Sequence, residues 1–600
     1  MNKIKLTALL AVIITIMFLT ACGGKKTQTT NTDTKSGEVA PIDTAQAISG
    51  DWLIIREMSD PEKLNPIVSN DASASEITYY VFEYLLDQDR ETYELIPRLS
   101  ALPVVSPDNL TYTFTINKDA KFSDGKPLTG EDVILTLKII KNPFVDAAAT
   151  RNYFDMVEKA EIVDGDVYKV KFTLNKPNWR GVYTLGLFNI LPKHILDPGN
   201  VTDKFTWEDL KDLKTASKNP EIQKYGDFIN SPEVSREAKY LVGSGPYMFE
   251  RWDTGAGVTL VRNPNYWGAS KVVPNYPQKI IFKTIQDNSA ALVSAKNKEI
   301  DAMYVIKPSD FYKDLENADQ FNLVKAKPSE PAYSYLAWNQ LNVLFQDKNV
   351  RLALSYLVDR KTIIDKVLYG DGVPIQSHIF YLNKKLLNPE LPQIPYDPEK
   401  AKGLLEQAGW KDSDGDGVLD RVVNGKKKDF KFTFLSNTNP VRKQILLVVV
   451  DALKKVGIQA EVQELEWSVY LDKTKKHEFD ATYSGWTSPT TPPDPYQIWH
   501  SSQSQGEGSN YISFNNKLSD SLIVAYRDEM DENKRIVMIK EWQKLIYDEQ
   551  PYTFLWSGKA RYIYDKRFKN TRWYNYYPSP TYNEWWVPAG AQKYTQNKNN

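Results

Sequence analysis

The segment Asp412-Ser-Asp-Gly-Asp-Gly-Val-Leu-Asp420 has the most explicit chemical spacing in the chain. Carboxylates at Asp412, Asp414 and Asp416, with Gly417 at the sixth position, match the opening of a calcium loop. Alternate side chains there wrap oxygens around one hard cation, and glycine permits the turn. Position twelve is Val423, where such a loop needs a bidentate Glu; Asp420 at position nine substitutes only in part. Asp-Gly is also a turn pair in its own right, so a polar hairpin loop is the competing reading. A calcium ion held here would be a structural clip and the only cofactor the sequence suggests.

A second concentration is aromatic. Trp467, Tyr470, Tyr483, Trp486, Tyr496 and Trp499 crowd one stretch of a chain that carries 35 Tyr and 15 Trp. Such rings stack on sugars or hold cations, and large flat side chains are favoured in ligand clefts. The plain alternative is that half of them are ordinary core.

Catalytic constellations are missing from the motif record. His194, His378, His477 and His500 are widely scattered, and no His-Glu-x-x-His or Gly-x-Ser-x-Gly occurs. A hydrolase built on two carboxylates can draw its pair from anywhere, so only that class of enzyme stays open by motif. The charge balance, 75 basic against 76 acidic residues, gives no basic excess for nucleic acid or an anionic membrane surface.

The one cysteine lies at the end of a signal. Lys3 and Lys5 precede an apolar run, Leu6 to Leu19, which leads into Leu19-Thr-Ala-Cys-Gly23. That order is a secretory signal, expected over residues 1–22. Its Leu-x-Ala-Cys ending resembles the lipobox of bacterial lipoproteins, which implies that Cys22 carries lipid and holds the chain outside the cytoplasmic membrane. An uncleaved anchor is the alternative, since the run approaches the roughly 18 residues a spanning helix needs. Residues 23–47 are Thr-, Asn-, Gly- and Ser-rich and read as a flexible tether.

The elements that must position these groups interleave. Leu110 to Ile116 and Val167 to Leu174 alternate as half-buried strands, the latter after the turn Asp164-Gly165-Asp166. Thr129 and Asp132 form a capping box for a helix reaching Ile140; Asp397 and Pro398 open another that Gly409 ends. The class is α/β, and the length implies two or three domains.

Six segments, in order, carry a resemblance: Leu64-Asn-Pro66 with Val81 to Leu86; Lys121-Phe-Ser-Asp-Gly125 to Val133; and Val242-Gly-Ser-Gly-Pro-Tyr247 with Arg262-Asn-Pro-Asn-Tyr-Trp267. The others are Asn339 with Asn349 to Arg360, Tyr396 to Lys402 with Ala408-Gly-Trp410, and Phe479-Asp-Ala481 with Gly485-Trp486. Together they resemble family 5 of the bacterial extracellular solute-binding proteins, the dipeptide- and oligopeptide-binding class of importer receptors. Most have plain structural work: Ser123-Asp-Gly-Lys126 is a turn, Gly243-Ser-Gly-Pro246 a chain reversal, and Arg351 and Asp359 frame a helix.

The resemblance implies a periplasmic-binding-protein-like fold of the large, three-domain (cluster C) type, two lobes joined by hinge strands. The first domain is expected at 48–75, 240–328 and 553–600, an inserted domain at 76–239 and the second lobe at 329–552. It implies a monomeric receptor that captures a peptide or peptide-sized solute and hands it to an ABC permease and ATPase complex. An oligosaccharide or other solute is the alternative ligand; a chaperone-like lipoprotein is a further one. By resemblance the cleft takes Tyr335, Trp338 and Asn339 from the strand opening the second lobe, and Trp486, Thr487 and Ser488 from the late Gly-Trp loop. The Asp that pairs with a peptide's α-ammonium in the family is Pro489 here, which has no charge to offer. Asp494 is the nearest replacement, and Trp467, Tyr470, Tyr496 and Trp499 complete the expected lining.

Overall fold

The computed structural model describes residues 47–69, 71–268, 273–304, 306–487, 493–504, 508–575 and 579–594. The signal, Cys22, the tether up to residue 46, Ser488 and Pro489 lie outside the described residues. Among those described, no helix is long and apolar enough to cross a membrane.

Strand β1 (Trp52–Glu57) alternates so that Leu53 and Ile55 are fully buried. It sits inside a seven-stranded sheet, parallel to Lys279–Thr284 on one side and Ala302–Met303 on the other. Helix α1 (Ala72–Thr78) follows, started by Asp71, whose carboxylate accepts from the Ser73 N–H at 3.2 Å. Beyond it the predicted strands appear at Thr111–Thr115 and Asp166–Leu174. They pair antiparallel within a separate four-stranded sheet, and Phe114 and Phe172 turn inward. The capping box of the helix Gly130–Lys141 forms, with Asp132 accepting from the Thr129 N–H at 2.8 Å. The Gly243-Ser-Gly-Pro246 segment lies directly on another strand of backbone. A Cβ on Gly243 would fall 1.8 Å from the Val81 carbonyl, and the Gly245 N–H donates to that same oxygen. Arg351 lies inside the helix Lys348–Tyr356 rather than at its edge, and its guanidinium ties that helix to the Glu549 carbonyl.

The chain then changes sheets twice. Strand β2 (Leu323–Ala326) is an edge of the first sheet, whereas β3 (Ala332–Trp338) is internal to a five-stranded second sheet. There β3 lies between β4 (Ala481–Thr487) and β5 (Tyr552–Phe554). Strand β6 (Tyr562–Asp565) returns to the first sheet and pairs with β2. The two crossings, 327–331 and 559–561, run side by side: the Glu330 N–H donates to Gly558 O, and the Ala560 N–H to Pro328 O. The return was expected at 553; it comes after Gly558, because Tyr552, Thr553 and Phe554 register on Ala337, Leu336 and Tyr335. An apolar run of this kind gives no sign in sequence of which sheet it will join.

The second sheet is covered on both faces, and the strand period sorts the residues. Leu336 and Trp338 enter one core with Phe432, Phe434 and Tyr483. Tyr333, Tyr335 and Ala337 enter the other with Trp499, Trp542 and Phe554.

Candidate ligand-binding cleft

The crossings, β3 and β4 open onto a cavity of about 250 Å³. Tyr333, Tyr483, Trp486 and Trp556 give it aromatic walls; Arg442, Lys559 and Arg561 bring positive charge, and Glu330 a carboxylate. An adjoining cavity of about 110 Å³ shares Tyr304, Glu330, Thr487 and Ala560 with the first and adds Glu76 and Tyr574 from the first sheet's side. Among the described residues, the Tyr333 hydroxyl and Arg442 Nη1 are buried at the larger cavity with no hydrogen-bond partner, while the indole nitrogens of Trp486 and Trp556 face the Tyr552 and Tyr483 side chains. A buried donor left unsatisfied costs about 1–3 kcal/mol, so two on one hollow suit a ligand that brings acceptors.

Two bodies, one built on the seven-stranded sheet and the other on the five-stranded sheet, meet beside this hollow. Trp467 donates its indole N–H to Asp71 Oδ1 at 2.9 Å, and Lys475 pairs with Glu62 at 2.9 Å. The inserted region meets the second body through Trp179, whose N–H donates to Tyr526 O, and through the Tyr153 hydroxyl, which donates to Gln497. The bodies are therefore held together around the cavity, a closed arrangement.

Residues 94–508 match the family model for bacterial extracellular solute-binding proteins, family 5. The chain belongs to this family. The oligopeptide-binding protein AppA of Bacillus subtilis is 31% identical over 98% of this chain and 99% of its own length. Its structure in complex with a nonapeptide covers 90% of this chain and 99% of that one, with a TM-score of 0.78 at 28% identity. The oligopeptide-binding protein of Thermus thermophilus, solved with a pentapeptide, shares the fold at a TM-score of 0.76 and 21% identity, covering 91% of this chain and 98% of that one.

In this solute-binding protein, Trp486 and Thr487 line the larger cavity, and Thr487 the smaller one as well. Trp486 is half-buried and stacks on Tyr511. Several expected cleft residues are elsewhere. Trp338 is fully buried on the opposite face of β3 from Tyr335, three residues away, and donates to Thr553 Oγ1 at 3.1 Å. Asn339 is buried, with its amide on the carbonyls of His477 and Phe479. Trp499 is fully buried core. Tyr335 stacks on Tyr552 at 3.9 Å, and Tyr470 bonds Thr482; both line neither cavity of the cleft. Trp467 serves the contact with Asp71, and Tyr496 lies under the Arg527 guanidinium at 3.8 Å.

Asp494 is 1% exposed and pairs with Arg527 at 2.8 Å, with Arg180 of the inserted region 3.9 Å away. Burial pushes this carboxyl up, but the two guanidiniums outweigh it and hold the group below the ordinary carboxylate range. Its charge is already matched within the protein, so it is no free anchor for an amine.

Tyr333, Glu330, Arg442, Trp556, Lys559, Arg561 and Glu76 were absent from the sequence reading. Tyr333 had a signal, since it shares a face with Tyr335; the others sit on separate elements that only the fold brings together.

In the Asp-rich loop, oxygens of Asp412, Asp414 and Asp420 lie within 4.8 Å of one another. Asp416 does not join them; its carboxylate accepts from the Val418 N–H at 2.8 Å, as a short side chain does in a tight turn. Lys427 pairs with Asp414 and stands 3.6 Å from Asp420, so an ammonium already occupies the anionic side. None of these residues lines the cleft.

Proposed function

We propose that this chain is the lipid-anchored receptor of an ABC importer, capturing a peptide between its two bodies and passing it to a permease and ATPase complex. The buried Tyr333 hydroxyl and Arg442 Nη1, unmatched among the described residues on an aromatic 250 Å³ cavity, are the observation that carries this reading. A peptide backbone offers one carbonyl acceptor per residue, which suits such a lining. The mixture of Arg442, Lys559 and Arg561 with Glu330 suits a zwitterion better than a neutral sugar. The nonapeptide-bound relative points the same way. Cys22 would carry the lipid outside the cytoplasmic membrane, the receptor would act as a monomer, and the solute would leave unchanged. Calcium in the Asp412 loop would have to displace the Lys427 ammonium.

Gentle purification followed by denaturing release and mass spectrometry tests the ligand class. Peptides of mixed sequence are expected to be released from the wild type. Trp486→Ala should release fewer while keeping the thermal midpoint of its folded body. Release of an oligosaccharide, or of hydrolysed fragments of a supplied peptide, would overturn the reading.

A further inference from the structure

The smaller cavity differs from the larger in charge. Glu76 and Glu330 line it, and no cationic side chain does so among the described residues. Glu330 is exposed to the cleft, whereas Glu76 is only 8% exposed. The Glu76 carboxylate makes no hydrogen bond among the described residues, although it projects from α1 into the hollow. Behind it lies Glu57 of β1, 2% exposed. One oxygen of Glu57 accepts from the Tyr304 hydroxyl at 3.2 Å, and the other, Oε1, is buried with no partner. The hydrogen bonds of two arginines near these carboxylates go elsewhere: Arg56 binds the carbonyls of Ile285 and Gln286, and Arg561 binds Asp371 and the Ile306 carbonyl. The rings of Tyr304, Tyr562 and Tyr574 wall the space. Glu76, with no cation recorded against it among the described residues, shares this aromatic enclosure with Glu330, and rings of this kind stabilise a cation.

On the reading that the cleft takes peptides, we propose that the Glu76–Glu330 cavity is a subsite for a cationic group of the bound peptide, an ammonium or guanidinium. The peptide then lies with its positive group there and its carbonyls toward Tyr333 and Arg442. Such a subsite takes over the task that Pro489 leaves undone, from the first sheet and a crossing segment rather than from the second body.

The subsite carries a pH signature. Burial, then the charge of Glu330, raises Glu76 to about 7; burial and Glu76 raise Glu57 further. Arg56 and Arg561 oppose these shifts at Glu57 and Glu330, and the surrounding hydroxyls of Tyr80, Tyr562 and Tyr582 are uncharged at these pH values. A cation binds the ionised carboxylate, so affinity should rise with pH through 7. Below that it should fall about tenfold per pH unit.

The test presents stripped full-length protein with a randomised pentapeptide library, free or N-acetylated, and reads retained peptides by mass spectrometry. Wild type is expected to retain the free library, and from the acetylated one chiefly Lys- and Arg-containing members, with that preference lost toward pH 5. Retention of acetylated peptides only when they carry Lys or Arg assigns the subsite to side chains as well as to the amino terminus. Glu330→Gln, on an exposed segment, and Glu76→Gln should each erase that enrichment while peptides are still held. Equal retention of acetylated, Lys- and Arg-free peptides by wild type at every pH would overturn the subsite and leave peptide capture standing. Retention of no peptide at all would overturn both.

Discussion

Asp494→Ala should weaken peptide affinity about tenfold, although Asp494 lines neither cavity of the cleft. In the closed arrangement this carboxylate stands between Arg527 of the second body and Arg180 of the inserted region. Arg527 also donates to the carbonyl and side-chain oxygens of Asn152 across the same boundary. Removing the anion leaves two guanidiniums facing one another beside a cavity of about 260 Å³ that they line. Breaking a buried pair costs about 3–5 kcal/mol. The part that involves Arg180 falls on the closed form alone, because opening the bodies separates it from Arg527. Ligand binding draws on the closed population, so about 1.4 kcal/mol lost there raises Kd about tenfold. Titration calorimetry with a bound peptide and its N-acetylated form measures it. An equal loss for both supports a latch, whereas a loss confined to the free amine would make Asp494 a ligand contact after all.

Trp338→Ala is expected to cost about 3–5 kcal/mol of stability and to leave affinity unchanged in the molecules that remain folded. The indole is fully buried among Phe345, Phe432 and Phe434, and its N–H is matched by Thr553. Truncation opens a cavity in the middle of the second sheet and strands the Thr553 hydroxyl. Trp338→Phe keeps most ring contacts and should lose about 1 kcal/mol for the missing hydrogen bond. Chemical denaturation and calorimetry on the same samples check both. Lost affinity with an unmoved denaturation midpoint would return Trp338 to the cleft.

These two residues also show what could be read from the sequence. The α/β class, the capped helices at 130–141 and 398–407, and the paired strands at 111–115 and 166–174 rest on local periodicity and end signals. Such signals survive folding because they are short-range. The strand opening the second body was also legible, whereas which of its two faces meets the cleft was not. Side chains three apart on a strand point to opposite faces, so Tyr335 and Trp338 could not both line one surface. Trp486 and Thr487 were found because a family motif marks the end of β4. Glu76, Glu330, Arg442 and Arg561 were not, since they come from four distant segments and meet only after the chain has crossed twice between sheets. Asp494 was singled out as a replacement amine anchor, but its partners Arg180 and Arg527, 314 and 33 positions away along the chain, gave no sign in sequence.

The central claim is that two bodies joined by paired crossing segments close over a captured solute. Small-angle scattering of the stripped protein, before and after addition of a retained peptide, reads this directly. The radius of gyration should fall on binding and recover when the peptide is removed. A scattering curve that stays the same while calorimetry records saturable binding would mean that the bodies do not move and that the hollow is a rigid pocket.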